Sequence, residues 1–176
     1  VAGIVVFGGP AGDRWGRRRI LLLGLAFFIA GAAAGAVAGN GIALALARAL
    51  QGVGAGLATP TSLALVAAST VAERRGESLG LWAGAGSSAI ALGPVLGSAA
   101  VDLLGWRAVF GLDLVFGVAA LAAVVRFVSR DPVRAERPVD VLAVALIGTG
   151  LMGGVIALTR VGFDAVNVVL SVTAAL

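Results

Sequence analysis

Five apolar runs, each about as long as a membrane is thick, follow one another along this chain with short connections between them. They cover residues 20–38, 41–70, 78–101, 108–125 and 141–159. A helix needs about 20 mostly apolar residues to cross a hydrocarbon core. Two shorter runs, 1–12 and 165–176, read as partial spans. In lipid every backbone N–H and C=O must find a partner inside the protein, and a helix satisfies its own. The expected fold class is therefore all-α, a polytopic membrane helical bundle. Glycine and proline inside the runs do not oppose this, since both are commoner in membrane helices than in soluble ones.

Composition excludes the main alternatives. Of 176 residues, 60% are hydrophobic and 12% charged, and the mean hydropathy is +1.06. Soluble domains carry about 25% charged residues to cover their outside. The net charge of +4 does not point to nucleic acid, because the arginines sit in short loops and form no solvated basic face. Cysteine and histidine are absent, which removes disulfides, thiolate sites and the commonest general base. Lysine and tyrosine are absent as well. No metal, cofactor or catalytic constellation is expected, and the chain does not read as an enzyme. Val1 and Leu176 both lie in apolar runs with no signal-like region before Val1, so a longer parent protein is expected.

The loops set the orientation. Arg14, Arg17, Arg18 and Arg19 fall in the first connection, and Gly39-Asn40 in the second has no charge. Arg74 and Arg75 lie in the third, Arg107 alone in the fourth. The fifth runs from Arg126 through Arg130, Arg134 and Arg137, and the sixth has Arg160. Arginine-rich and arginine-poor loops alternate, and positive loops stay in the cytoplasm. The first, third and fifth connections are thus expected inside.

Four motifs stand out against this background. The first runs from Gly9 through Asp13, Arg14 and Gly16 to Arg17 and Arg19, a very short cytoplasmic turn with an acidic–basic pair between glycines. Asp13 there can cap a helix start or pair with an arginine. The second is Arg48-Ala49-Leu50-Gln51-Gly52-Val53-Gly54-Ala55-Gly56. Arg48 lies inside an apolar span, where a charge costs at least about 2.5–3.5 kcal/mol and commonly faces a bundle interior or a wet cavity. Arg48, Gly52 and Gly56 are spaced by four and share a helix face. The bland reading is an arginine reaching outward to the membrane surface, about 12 Å from Asn40.

The third motif contains Gly93, Pro94 and Gly97, with Ala85 and Ala89 extending a small-residue stripe at spacing four. It suits close helix packing, and Pro94 can bend its helix. The fourth is Gly105-Trp106-Arg107-Ala108-Val109-Phe110, followed by Asp113. Trp106 and Arg107 suit an outer-surface anchor. Asp113 is a second intramembrane charge and so a functional candidate, although an acid near the interface reaching water is an equal reading.

Together and in this order, these motifs resemble the major facilitator superfamily, and within it the fourteen-helix drug:proton antiporter branch. The first is similar to the loop signature between the second and third helices. Arg48, Gln51, Gly52 and Gly54 resemble the fourth-helix motif, and Gly93, Pro94 and Gly97 the fifth-helix antiporter motif, with Ser98 where glycine is usual. Gly105-Trp106-Arg107 resembles a segment of that branch, with Asp113 in place of a usual asparagine and Val115 of a usual proline. The resemblance implies a partial amino-terminal bundle at 1–127 (the second to sixth helices), a cytoplasmic linker at 128–139 and a central helix pair at 140–176, the second helix incomplete.

The function so implied is proton-coupled efflux of drugs or other amphipathic small molecules by alternating access, from a bacterial plasma (inner) membrane. The implied partners are the lipid bilayer, a small-molecule substrate, protons and the missing carboxy-terminal half, with no nucleic acid. A major facilitator carrier of one metabolite, or a non-transporting fragment, stays open beside it. Arg48 cannot itself carry a proton, so it is expected to act on a neighbouring acid. The family layout sets the sixth helix away from the cavity, which favours an acid on the first helix over Asp113 as that neighbour.

Overall fold

The computed structural model describes residues 11–128. Within them, four long helices run in order: α1 (Arg17–Ala36), α2 (Gly41–Ser69), α3 (Arg75–Leu104) and α4 (Ala108–Phe127). Each is long and apolar enough to cross a membrane. The 20 residues of α1 and of α4 make about 30 Å at 1.5 Å per residue, one hydrocarbon thickness. Helices α2 and α3 have 29 and 30 residues and must tilt or project beyond the core.

Local sequence explains the ends. Residues 11–15 are helical, and Gly16 then takes φ 94°, a left-handed conformation that glycine tolerates, before α1 begins. Asn40 caps α2 by accepting from the Ala43 N–H at 2.8 Å. Pro60 lies inside α2 without ending it. Hydroxyls on both sides donate to nearby carbonyls there, Thr59 to Ala55 at 2.9 Å and Ser62 to Thr59 at 2.8 Å, as membrane helices do around proline. A 3-10 turn at Ala72–Arg74 leads into α3.

The expected spans differ from the helices by a few residues. The run expected at 78–101 extends to Arg75–Leu104, its start held by Arg74 donating to Glu77 at 3.1 Å. The run expected at 20–38 is shifted to Arg17–Ala36 because the Val37 N–H turns back to the Gly35 carbonyl. The remaining expected runs, at 1–12 (but for its last two residues), 141–159 and 165–176, lie outside the described residues. So does the linker at 128–139, apart from Val128.

Packing is inside-out relative to a soluble protein. Helix α1 packs mainly on α2 and then on α4, while α3 touches α2 and α4 lightly. The buried set on α1 is Ile20, Leu21, Gly24, Gly31, Ala32 and Gly35, and α3 buries no residue within the described part. Large apolar side chains such as Leu81 and Ile90 point outward. Small residues between helices with aliphatic ones outside is the pattern lipid requires. At the α1–α2 seam a Cβ on Gly54 would collide with the backbone of Phe28 and Gly24, so the two helices meet backbone to backbone.

End contacts fix how α1 and α4 run. At one end Arg18 donates to the carbonyls of Val128 (2.7 Å) and Val125 (3.3 Å). At the other, Arg107 donates to the Ala38 carbonyl at 2.9 Å. The start of α1 therefore lies by the end of α4, and its end by the start of α4. This antiparallel arrangement agrees with the alternation of the arginine-rich loops.

Candidate intramembrane charge site

Helices α2 and α4 bring three polar side chains together inside their apolar spans. Arg48 is two turns into α2, about 10 Å beyond Gly41, and Gln51 is one turn deeper. Arg48 Nη1 donates to Gln51 Oε1 at 3.1 Å. Gln51 Nε2 donates in turn to Asp113 Oδ2 at 2.9 Å. Arg48 Nη1 lies 3.6 Å from the same Asp113 oxygen, an ion pair between the helices. Asp113 is one turn and more into α4, so both charges sit at similar depth from the end at which α2 and α4 begin.

The pair has an apolar wall. The Arg48 guanidinium lies over the Phe110 ring, 4.3 Å from its centroid. Phe110 is almost fully buried and sits against Gly35 of α1, where a Cβ would collide with the ring. Trp106 meets Phe110 edge-on at 6.1 Å, and Arg107 stacks on Trp106 at 4.2 Å. The Gly-Trp-Arg segment is thus more than a surface anchor. It ties α4 to the end of α1 through Arg107 and Ala38, and so holds Phe110 beneath Arg48.

An arginine reaching outward would extend toward Asn40. Arg48 instead bonds to Gln51, one turn deeper into the membrane. An acid on the family's first helix, the favoured expectation, lies outside the described residues. Asp113 stands next to Arg48, because the close contacts of α1 with both α2 and α4 draw those two helices together. Gln51 is the link between them, and its side chain is 4% exposed.

The other expected site residues lie elsewhere. Gly54 belongs to the α1–α2 seam, and Gly52 is half-buried. Gly93 and Gly97 on α3 have open space where a Cβ would stand, and Pro94 is exposed. The small-residue stripe therefore makes no tight helix contact among the described residues. The loop motif lies at the far end of α2. There Arg17 holds Asp13 at 2.7 Å and donates to the Ala64 carbonyl at 3.1 Å, while Arg14 stacks over Trp15. Gly9 lies outside the described residues. The packing of Phe110 on Gly35 and under Arg48, and the cap made by Arg18, escaped the sequence reading. Gly31 and Gly35 at spacing four were a visible sign of a packing face on α1, but nothing in the sequence said which aromatic would fill it.

Comparison with known proteins agrees with this architecture. The sequence profile of the Major Facilitator Superfamily matches residues 1–176, and the chain belongs to that family. It is 39% identical over 137 residues to the methylenomycin A resistance protein of Bacillus subtilis, covering 77% of this chain and 29% of that protein. It is 32% identical over 170 residues to the multidrug efflux pump LfrA of Mycolicibacterium smegmatis, covering 95% of this chain and 33% of that protein. The chain thus spans about a third or less of these relatives. Among solved structures, a peptide transporter crystallised with alafosfalin matches with a TM-score of 0.67 at 23% identity, over 90% of this chain and 36% of that one. That likeness is one of fold.

Proposed function

We infer that this member of the major facilitator superfamily is part of the amino-terminal half of an exporter of drugs or other amphipathic small molecules, driven by protons moving inward. Its layout in this reading is a bundle of the second to sixth helices at 1–127, a linker at 128–139 and a central helix pair at 140–176. The other partner is a carboxy-terminal six-helix half, and the setting is a bacterial plasma membrane. The relatives' names, resistance protein and efflux pump, support the direction and the substrate class.

The observation that carries the proton-coupled part is the Arg48–Gln51–Asp113 network. Arginine stays charged, so the group in it that can take up a proton is Asp113. Protonation would remove the carboxylate's charge and weaken its hold on Arg48 and Gln51. A proton is thereby coupled to how tightly α2 and α4 are joined. Helix packing in turn biases the rocking of one half against the other by which such folds alternate access. In this reading Gly93, Pro94 and Gly97, which lie open to the outside of the described bundle, meet the moving partner half.

The test uses energised everted membrane vesicles carrying the full-length protein. Lipophilic cations and antibiotics are added in turn, and proton release from the vesicles is followed. Release that depends on substrate supports the exporter. No release with a folded, inserted protein favours a carrier of one metabolite.

A further inference from the structure

We propose that the end of the bundle at which α1 begins and α4 ends binds the headgroup of an anionic phospholipid, through Arg14, Arg19 and Arg126. The proposal does not depend on the exporter reading.

Arg18 decides the placement. Its bonds to the carbonyls of Val125 and Val128 hold the end of α4 beside the start of α1. Arg126 and Phe127 are thereby gathered with Arg14, Trp15 and Arg19 at one end of the bundle. Two of the arginines there are already engaged. Arg17 holds Asp13 and the Ala64 carbonyl, and Arg18 holds α4. Arg14, Arg19 and Arg126 pair with no carboxylate among the described residues. Within residues 11–19 and 124–128, five arginines stand against one acid, Asp13.

The connection between α2 and α3 is different, although it too is rich in arginine. Arg74 and Arg75 share it with Glu73 and Glu77, and Arg74 is paired with Glu77 at 3.1 Å. Its charges balance. Counted by arginine the two connections look alike, but the α1–α4 end alone of these two carries the field that collects an anion.

The level of the residues names the anion. Helix α1 is about one hydrocarbon thickness long, so Arg19 in its first turn lies where the apolar core gives way to headgroups. Arg14 lies over the Trp15 ring at 5.6 Å and Arg126 over the Phe127 ring at 5.7 Å, and both rings are exposed. Tryptophan is at home at this interfacial level. A guanidinium can donate two parallel bonds to a phosphate. In phosphatidylcholine the headgroup's own ammonium balances that phosphate, whereas in phosphatidylglycerol the negative charge is left for the protein. A headgroup held by Arg19 and Arg126 together would add a second tie between α1 and α4 beside that of Arg18.

The experiment titrates the purified full-length protein, in a neutral detergent, with phosphatidylglycerol and with phosphatidylcholine of the same chains. Bound lipid is counted by native mass spectrometry. The wild type is expected to hold phosphatidylglycerol more tightly. Each arginine near an anionic surface is worth about fivefold in affinity, so Arg19→Gln and Arg126→Gln should each lower the ratio of the two affinities by that factor. Arg75→Gln, at the balanced connection, should leave the ratio within about twofold of wild type. The two single variants lie on different helices, and either serves if the other does not fold. Equal affinities in the wild type overturn the proposal, as does a ratio unmoved by Arg19→Gln and Arg126→Gln. A loss at Arg75→Gln as large as at Arg19→Gln overturns it too, since anionic lipid would then follow arginine anywhere on that face. Proton release by wild-type vesicles tests the exporter reading separately.

Discussion

Gln51 Nε2 donates to Asp113 Oδ2 at 2.9 Å while the oxygen of the same amide accepts from Arg48 at 3.1 Å. A primary amide offers donors and an acceptor without net charge. It can therefore stand between a cation and an anion and satisfy both, which neither a glutamate nor a leucine can do. The buried bridge lets α2 and α4 share one polar site.

Replacing the bridge tests that account. Gln51→Glu turns the donor toward Asp113 into an acceptor and sets two carboxylates side by side. The expected loss is about 1–3 kcal/mol, the range for hydrogen bonds to charged groups left unmade. Gln51→Leu removes both bonds without adding a charge and should cost about 0.6–1.7 kcal/mol, the range measured for hydrogen bonds between membrane helices. Thermal unfolding of the purified full-length protein gives the order. A glutamate variant as stable as the leucine variant would refute the bridging role.

Two glycines should answer differently to the same change. A Cβ on Gly54 would run into the backbone of α1, which cannot move aside alone, whereas one on Gly93 meets nothing within 4 Å. Gly54→Ala is expected to cost about 1–3 kcal/mol by overpacking. Gly93→Ala should leave unfolding unchanged and, in the exporter reading, slow transport by obstructing the moving partner. Equal melting temperatures for the two variants would contradict the packing described for α1 and α2.

Much of this was legible in the sequence. Apolar runs of membrane length gave four helices to within a few residues, since lipid leaves the backbone little choice. Arginine alternation implied that α1 and α4 run in opposite directions, and the contacts of Arg18 and Arg107 agree. Arg48 and Asp113 were visible as costly charges in apolar runs. Their pairing was not, because it depends on which helices are neighbours. That is decided by small residues at Gly24, Gly31 and Gly35 on α1, whose pattern says that something packs closely but not what. The Arg18 cap was hidden for another reason: an arginine in an arginine-rich loop already has a sufficient explanation in topology.

That cap makes a local prediction. Arg18 donates to the carbonyls of Val125 and Val128 at the end of α4, and its charge complements the negative end of the helix dipole. Arg18→Gln should fray that turn while leaving the middle of α4 intact. Backbone hydrogen exchange at residues 124–128 is expected to quicken by roughly two- to tenfold, the range set by about 0.3–1 kcal/mol of lost dipole interaction and somewhat more for the bonds. Uniform quickening along the whole helix would point to global destabilisation instead.

Arg48 allows charge and shape to be separated. Its guanidinium lies over the Phe110 ring, 4.3 Å from the centroid, while Nη1 meets Gln51 and Asp113. Lysine keeps the charge but has no planar fork with which to stack and donate at once. If pairing with Asp113 by charge alone were enough, Arg48→Lys would release protons from everted vesicles at the wild-type rate. If the fixed geometry couples the proton to the joining of α2 and α4, the lysine variant should lose about tenfold in initial release rate, a barrier change near 1.4 kcal/mol. Arg48→Ala removes both charge and stack and should abolish substrate-dependent release. An alanine variant that releases protons normally would remove Arg48 from the coupling mechanism. A lysine variant equal to wild type would keep Arg48 there as a charge and assign no part to its stacking on Phe110.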